Sequence, residues 1–348
     1  IKINGNLVPI NQQKLDQNAV LSLLAEVVPA ARLEELDKEN ELNIGIPVTG
    51  VGSFRLSAFR QRGSISAVLR YVPGEIPALN TLALPPVLAD MIMEKRGLLL
   101  VVGSTGSGKS TTIAAMLDHR NAISTGHILT LEDPIEFLFR NKKSIVNQRE
   151  IGNDASDLTV ALKNALRQAP DCILIGEIRD KETMSAALAY AQSGHLVVAT
   201  LHANNSYQAL TRVINFYPIE NRQSLLADLS SSLRAIVSQR LVSAIDGKRR
   251  AAVEVMLNTR HIAELIEQGE IALIKEAIEK SLSPGSQTFE QALMQLIKDG
   301  VVTQDEALAH ADSASNLFWL LNNSAQAVEE EAPCLLYTSD AADDTPCV

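Results

Sequence analysis

The stretch Gly103-Ser104-Thr105-Gly106-Ser107-Gly108-Lys109-Ser110 fits the pattern G-x-x-x-x-G-K-[ST]. Glycines at these places let backbone N–H groups curl around phosphate oxygens. Lys109 can reach the β and γ phosphates, and Ser110, with Thr111 beside it, can ligate Mg²⁺. A Gly/Ser-rich turn is the bland alternative. It is disfavoured because an apolar run, LLLVVG (98–103), precedes the loop and a helical pattern, TTIAAMLDHR (111–120), follows it. The helix that opens there adds its positive N-terminal end to the phosphate site.

The other polar residues of interest also close apolar runs. HILTLE (127–132) ends in Glu132, with Asp133 next and Glu136 one short step on; CILIGE (172–177) ends in Glu177, followed by Arg179 and Asp180; LVVATL (196–201) is followed by His202. Ligands of an open parallel sheet sit beyond the carboxyl ends of its strands, so Lys109, Glu132, Glu177 and His202 are expected around one nucleotide. One acidic strand end could be an ordinary helix cap, and Asp180 before KETMSAALAYA reads as one. Four together do not. His195 and His202 bracket one strand and stand up to ~23 Å apart at about 3.3 Å per residue. They are not expected to share a metal, and His195 reads as structural or as facing a neighbouring subunit.

These elements belong to a chain of 348 residues, long enough for two domains. Four apolar strands separated by helical stretches indicate a largely parallel sheet covered on both faces. Before it, residues 21–38 carry apolar side chains at helical spacing, and 51–72 alternate as paired strands around a turn at Gly63. PGEIPALNTLALPP (73–86) reads as a linker and hinge. Strands stop after 259, and 260–323 read as amphipathic helices. The expected organisation is an N-terminal domain over 1–72, a linker over 73–90, an ATPase core over 91–259, a C-terminal helical region over 260–323 and a disordered tail over 324–348.

The formal charge is −10 and the pI about 5.2, which argues against a general nucleic-acid binder. Residues 324–348 hold six acidic and no basic side chains, leaving −4 for the rest. Within them, 333–348 has a different composition and reads as non-native sequence, and a start at Ile1 rather than Met reads as a shortened N-terminus. Cys172, Cys334 and Cys347 form no CxxC pair and suggest neither a disulfide framework nor zinc; Cys172, within an apolar run, reads as a small buried hydrophobe. No stretch approaches membrane-spanning length. A soluble cytoplasmic protein is expected.

GSTGSGKSTT, LTLEDPIEF, QREIG, ILIGEIRD and GHLVVATLHANNS, in that order, resemble the Walker A, Asp box, Walker B and His box of the secretion-ATPase superfamily. Within it the chain resembles the type IV pilus retraction ATPases of the PilT/PilU family, over about 20–323. AQSGHLVVATLHANNSYQALTRVINFYP and SLSPGSQTFEQALMQLIKDG place it nearer the PilU branch. HIAELIEQGEI stands where PilT proteins carry Ala-Ile-Arg-Asn-Leu-Ile, which leaves PilT-like independent retraction open, and the four-cysteine zinc module of assembly ATPases is absent. The resemblance implies an α/β fold: a PAS-like N-terminal α+β domain, a RecA-like P-loop core and C-terminal helices, in a homo-hexameric ring with sites between neighbouring subunits. Arg55, Arg60, Arg62 and Arg70 then become candidates for stabilising transition-state charge; each reads at least equally as a solvated strand residue or an inter-domain salt bridge, and Arg55 and Arg70 are the favoured two of the four.

The expected chemistry is Mg²⁺-dependent hydrolysis of ATP. Glu132 would orient or deprotonate the attacking water, Glu177 would support Mg²⁺ or the water, and His202 would couple γ-phosphate loss to domain rotation. The roles of Glu132 and Glu177 could be exchanged. The resemblance further implies peripheral association with the inner-membrane face of the pilus machine and two partners, PilT and the platform protein PilC. The alternatives are a PilT-dependent accessory or regulatory ring protein, a type II or type IV secretion ring ATPase and, disfavoured by charge, a DNA-translocating motor.

Overall fold

In the computed structural model, residues 1–3, 6–10, 15–48, 52–72 and 74–330 are described. A two-residue ladder pairs β1 (Lys2–Ile3) with β2 (Asn6–Leu7). Two helices follow, α1 (Gln17–Val27) and α2 (Ala30–Glu39). Asp16 opens α1, its carboxylate accepting the Ala19 N–H at 2.7 Å, and Pro29 divides the two helices where spacing alone suggested one continuous face. An antiparallel sheet of β3 (Glu41–Val48), β4 (Gly52–Gln61) and β5 (Ser64–Val72) completes this unit. β4 and β5 join through Arg62 and Gly63, both at positive φ (49° and 79°), the conformation that matches the twist of a tight hairpin. Leu24, Val28, Leu36, Leu42, Leu56 and Ala58 form its small core.

Residues 87–92, at the linker's end by sequence, form α3 (Val87–Ile92), which buries Leu88, Met91 and Ile92 in the large domain's core. Beyond it come β6 (Gly97–Val102), α4 (Lys109–Ile123), β7 (Gly126–Glu132), β8 (Ser144–Glu150), α5 (Leu158–Ala165), β9 (Cys172–Ile175), α6 (Lys181–Gln192), β10 (Leu196–Leu201), α7 (Ser206–Asn215), α8 (Arg222–Ser232), β11 (Leu233–Ser243) and β12 (Arg249–Leu257). These strands make a seven-stranded sheet in the order β12-β11-β6-β10-β9-β7-β8, parallel except for the β11–β12 hairpin. Alternation along each central strand divides the core. Leu98, Leu100, Val102, Ile173, Ile175, Val197 and Ala199 face α5 to α8, whereas Leu99, Val101, Leu174 and Val198 face α3 and α4. β8, β11 and β12 were not read from sequence. β8 is half-exposed and polar, and β11 and β12 carry Ser, Gln, Arg and Glu that break an apolar run.

Five more helices follow among the described residues. α9 (Arg260–Gln268) and α10 (Ile274–Glu279) pack on the large core through Ile262, Ile266, Ile274 and Ile278. α11 (Phe289–Lys298), α12 (Gln304–His310) and α13 (Ala314–Glu330) gather Phe289, Leu293, Val302, Ala307 and Leu317 against Val242 and Ala252 of the hairpin. Residues 324–330, expected to begin a disordered tail, continue α13; the 333–348 reading lies outside the described residues. Phe289 is fully buried, with the Arg240 guanidinium 4.0 Å from its ring centroid. Phe289→Ala should cost about 3–5 kcal/mol and lower the urea midpoint of this unit, reported by the fluorescence of Trp319, the chain's one tryptophan, on α13.

Candidate active site

The carboxyl ends of β6, β7, β9 and β10 open on one cavity of 890 Å³. Its lining brings together Thr105, Gly106, Gly108, Lys109, Ser110 and Thr111 of the loop with Glu132, Glu177, Arg179, His202 and Arg70. Gly103, Ser104 and Ser107 complete the loop beneath; Ser107 also lines an adjoining cleft with Ser104. The convergence expected from sequence is thus a geometric fact. Whether each residue acts as expected is a question for function.

The loop's shape depends on β11. Gly103 (φ +153°) and Gly108 (φ +91°) adopt backbone conformations that L side chains avoid. A β-carbon at Gly103 would meet the Gln239 carbonyl and Ser107 Oγ at 2.5 Å; one at Gly108 would meet Gln239 Nε2 at 2.6 Å. Gln239 itself is buried. Its Nε2–H donates to the Ser107 carbonyl at 2.9 Å, and its Oε1 accepts from Thr112 Oγ1 at 2.8 Å. Lys109 Nζ donates to the carbonyls of Gly103 and Ser104, both at 2.8 Å. Burial lowers its pKa from the ordinary lysine value, while Glu177 and Glu136 pull the other way.

Glu132 is buried at the end of β7. It accepts from Thr130 Oγ1 at 2.7 Å, Gln148 Nε2 at 3.3 Å and the Glu136 N–H at 3.4 Å. Burial raises its pKa above the ordinary carboxylate value, and those hydrogen bonds only partly offset it. Gln148 lies on β8, so the strand least visible in sequence helps to position the more buried of the two cavity carboxylates, Glu132 rather than Glu177. Glu177 is held differently. Arg179 Nε donates to its Oε2 at 2.5 Å, and His202 Nε2 lies 3.2 Å from its Oε1. Arg179 also reaches Asp133 at 3.8 Å.

Several sequence candidates separate here. Arg70 lines the cavity, whereas Arg55, its register partner across β4 and β5, is not among the described residues that line it. Arg60 is engaged by Asp37 at 2.5 Å, and Arg62 sits in the hairpin turn. His195 stands at the far end of β10, its Nδ1 3.1 Å from Ser193 Oγ and 3.2 Å from the Tyr190 carbonyl. Asp180 caps α6 through the Thr183 N–H at 2.8 Å. Cys172 is fully buried, and its thiol is pushed up to about 12 by burial. Among the described residues no cluster of His, Cys, Asp or Glu could hold a metal by itself. A hard divalent cation would instead have the Ser110 hydroxyl, the Glu177 carboxylate and substrate phosphates, the kind of sparse oxygen set that suits Mg²⁺. Gln239, Gln148, Thr130 and Arg179 are not among the sequence candidates for the site; Thr130, Gln148 and Arg179 lie inside LTLEDPIEF, QREIG and ILIGEIRD, whereas Gln239 lies in no recognisable motif.

A family model described as Type II/IV secretion system protein matches residues 3–266. The Type IV pilus ATPase PilU of Pseudomonas aeruginosa is 47% identical over 318 residues, covering 91% of this chain and 83% of that protein. The Type IV pilus retractation ATPase PilT of the same organism is 38% identical over 316 residues, covering 91% and 92%. The crystal structure of the pilus retraction motor PilT with bound ADP superimposes with a TM-score of 0.85 at 37% identity, covering 90% of each chain. The α/β fold with its large parallel sheet is shared with that structure.

The contacts of Gln239 predict two graded losses. Gly103→Ala should abolish measurable ADP binding in calorimetry. Gln239→Leu leaves the Thr112 hydroxyl and Ser107 carbonyl without their partner, and should weaken ADP binding by about tenfold while far-UV circular dichroism is kept. Wild-type affinity in Gln239→Leu would mean that the loop holds its shape without β11.

Proposed function

The chain belongs to the Type II/IV secretion system protein family and is an ATPase, and on that premise we propose that it is a homo-hexameric motor that powers or assists type IV pilus retraction by Mg²⁺-dependent hydrolysis of ATP. The observation that carries this is the meeting of Lys109, Glu132, Glu177 and His202 around one cavity, in a chain 47% identical to a type IV pilus ATPase.

In this reading the loop amides and Lys109 bind the β and γ phosphates and neutralise the charge that develops on the γ oxygens. Ser110, with Glu177 directly or through water, would hold Mg²⁺, which would supply positive charge to offset that of the phosphates. Glu132 takes the proton of the attacking water. Its burial makes it a stronger base than an exposed glutamate. Glu177, already bonded to Arg179 and close to His202, suits the cation side and the relay toward His202. The burial of Glu132 and the contacts of Glu177 support this division of the two roles. Arg70, from the N-terminal unit, supplies further positive charge at the phosphate end. Arg55 would act only from a neighbouring subunit.

The ring, the partners PilT and PilC, and peripheral association with the inner-membrane face of a pilus machine are parts of the same proposal. No helix among the described residues is long and apolar enough to cross a membrane. The helix that stands in place of the PilT Ala-Ile-Arg-Asn-Leu-Ile segment supports the assisting form of the motor. Phosphate release by the protein alone and with PilT separates the two forms. Turnover alone, lost in Lys109→Ala, marks an independent motor; turnover only with PilT, again lost in Lys109→Ala, marks an assisting one. No turnover in either case sinks the proposal.

Glu132→Gln should lower kcat by about 10²–10⁴-fold with little change in KM; full turnover in an assembled ring would remove Glu132 from the water-activating role. The acid limb of kcat/KM should lie above pH 4.5, because the carboxyl of Glu132 is raised above its ordinary value and activity is lost as pH falls through it. An acid limb at or below 4.5 would assign the base elsewhere.

A further inference from the structure

His202 opens the segment 202–205 between β10 and α7, and this segment is tied to the C-terminal helices. Arg240 of β11 is the centre of the tie. Its Nη1–H donates to the carbonyl of His310 at 2.6 Å, and its Nη2–H donates to the carbonyl of Asn204 at 3.1 Å and to Asp312 Oδ1. The second oxygen of Asp312 accepts from Asn205 Nδ2 at 2.9 Å. Asn205 is buried, and its own Oδ1 caps α7 by accepting the Gln208 N–H at 3.0 Å. On the other side, Arg212 Nη1–H donates to the His202 carbonyl at 2.9 Å. The segment 202–205 is therefore held from α7 by Arg212, from β11 by Arg240 and from the α12–α13 connection by Asp312, with Arg240 also bonded to the His310 carbonyl at the end of α12.

Two features place this tie in contact with the chemistry. A cleft of 360 Å³ separates Gly103 and Ser104 of the phosphate loop from His202, Ala203 and Asn204. Arg240 also follows Gln239 directly, so adjacent residues of one strand hold the phosphate loop and the His202 segment. The planar guanidinium makes three directed bonds at once, backed by the ring of Phe289. An ammonium on a flexible stem cannot reproduce that fork.

We infer that Arg240, through Asp312 and the Asn204 carbonyl, is a positioning residue that sets His202 at the γ-phosphate side of the cavity and makes helices α12 and α13 part of the response to hydrolysis. This rests on the reading of His202 as a γ-phosphate residue. Arg240 is not among the residues that line the main cavity, although it lines the cleft beside the phosphate loop. It acts by fixing the backbone from which His202 projects toward Glu177. A shift of about an ångström there is enough to cost up to about 100-fold in rate. Conversely, a movement of His202 when the γ phosphate leaves pulls on Asp312 and so on the start of α13.

The test compares kcat, KM for ATP and melting temperature for Arg240→Lys, Asp312→Asn, His202→Ala and the double variant Arg240→Lys/His202→Ala in the full chain. Leu293→Ala serves as a control, since it loosens the same helical unit without touching 202–205. Arg240→Lys and Asp312→Asn should lower kcat by about 10- to 100-fold with KM changed less than about threefold. The double variant should be no worse than His202→Ala, because both act through one residue. Leu293→Ala should lower the melting temperature at least as far and keep kcat. In hydrogen exchange, a non-hydrolysable ATP analogue should change the protection of 304–323 in the wild type but not in Arg240→Lys. Additive losses in the double variant overturn the inference. So does a fall in kcat for Leu293→Ala equal to that for Arg240→Lys, which would make the tie merely structural. A His202→Ala variant with wild-type kcat removes the premise, a failure visible in that single variant and distinct from the other two.

Discussion

A β-carbon at Gly103 would lie 2.5 Å from the carbonyl of Gln239, and this approach of the phosphate loop to β11 is the constraint on which the rest of the site depends. The loop has no regular hydrogen-bond ladder of its own. It keeps its curl because Gln239 fills the space left by Gly103 and Gly108 and satisfies the Ser107 carbonyl and the Thr112 hydroxyl inside the protein. A buried amide with both ends bonded is a rigid spacer. The same amide with one end free would be a liability of about 1–3 kcal/mol. The loop, the first turn of α4 and β11 therefore move as one piece.

Around that piece the sheet arranges its charges by depth. Glu132 lies deepest and is made more basic by burial, with Thr130, Gln148 and the Glu136 amide orienting it. Glu177 lies nearer the surface, with Arg179 donating to one oxygen and His202 Nε2 3.2 Å from the other. Two carboxylates at equivalent strand ends thus have different environments, and the proposed division between water activation and cation binding rests on that difference. His202 is the point at which the inner shell reaches other parts of the chain. Its backbone is anchored to α7, and its neighbours Asn204 and Asn205 to β11 and the α12–α13 connection. The N-terminal unit enters through Arg70 alone of the two favoured arginines.

Much of this was legible in the sequence for simple reasons. The phosphate loop is a run of eight residues whose geometry is dictated by glycine, and its spacing is local. The strands carrying Glu132, Glu177 and His202 are short apolar runs, and a parallel sheet buried on both faces leaves polar residues only at their ends. The β4–β5 hairpin alternates cleanly about Gly63. β8, β11 and β12 escaped notice because an edge strand and a hairpin that holds polar partners need not be apolar throughout. Pro29 broke one expected helix into two, and α13 runs on through 324–330 where composition suggested disorder.

What the sequence determined by itself was the phosphate loop, the α/β class and the set of residues at the strand ends, because each depends on neighbours within a few positions. Only the tertiary structure decided who holds them. Gln239 stands 132 residues from Ser107, Gln148 reaches Glu132 from another strand, and Arg240 and Asp312 meet across 72 residues. Gln239, Arg240 and Asp312 belong to no local pattern, and Gln148, though inside QREIG, meets Glu132 only because β8 lies beside β7. Their roles come from sheet order, which sets β11 beside β6 and β8 beside β7, and sheet order depends on long-range packing that no single stretch of the chain encodes.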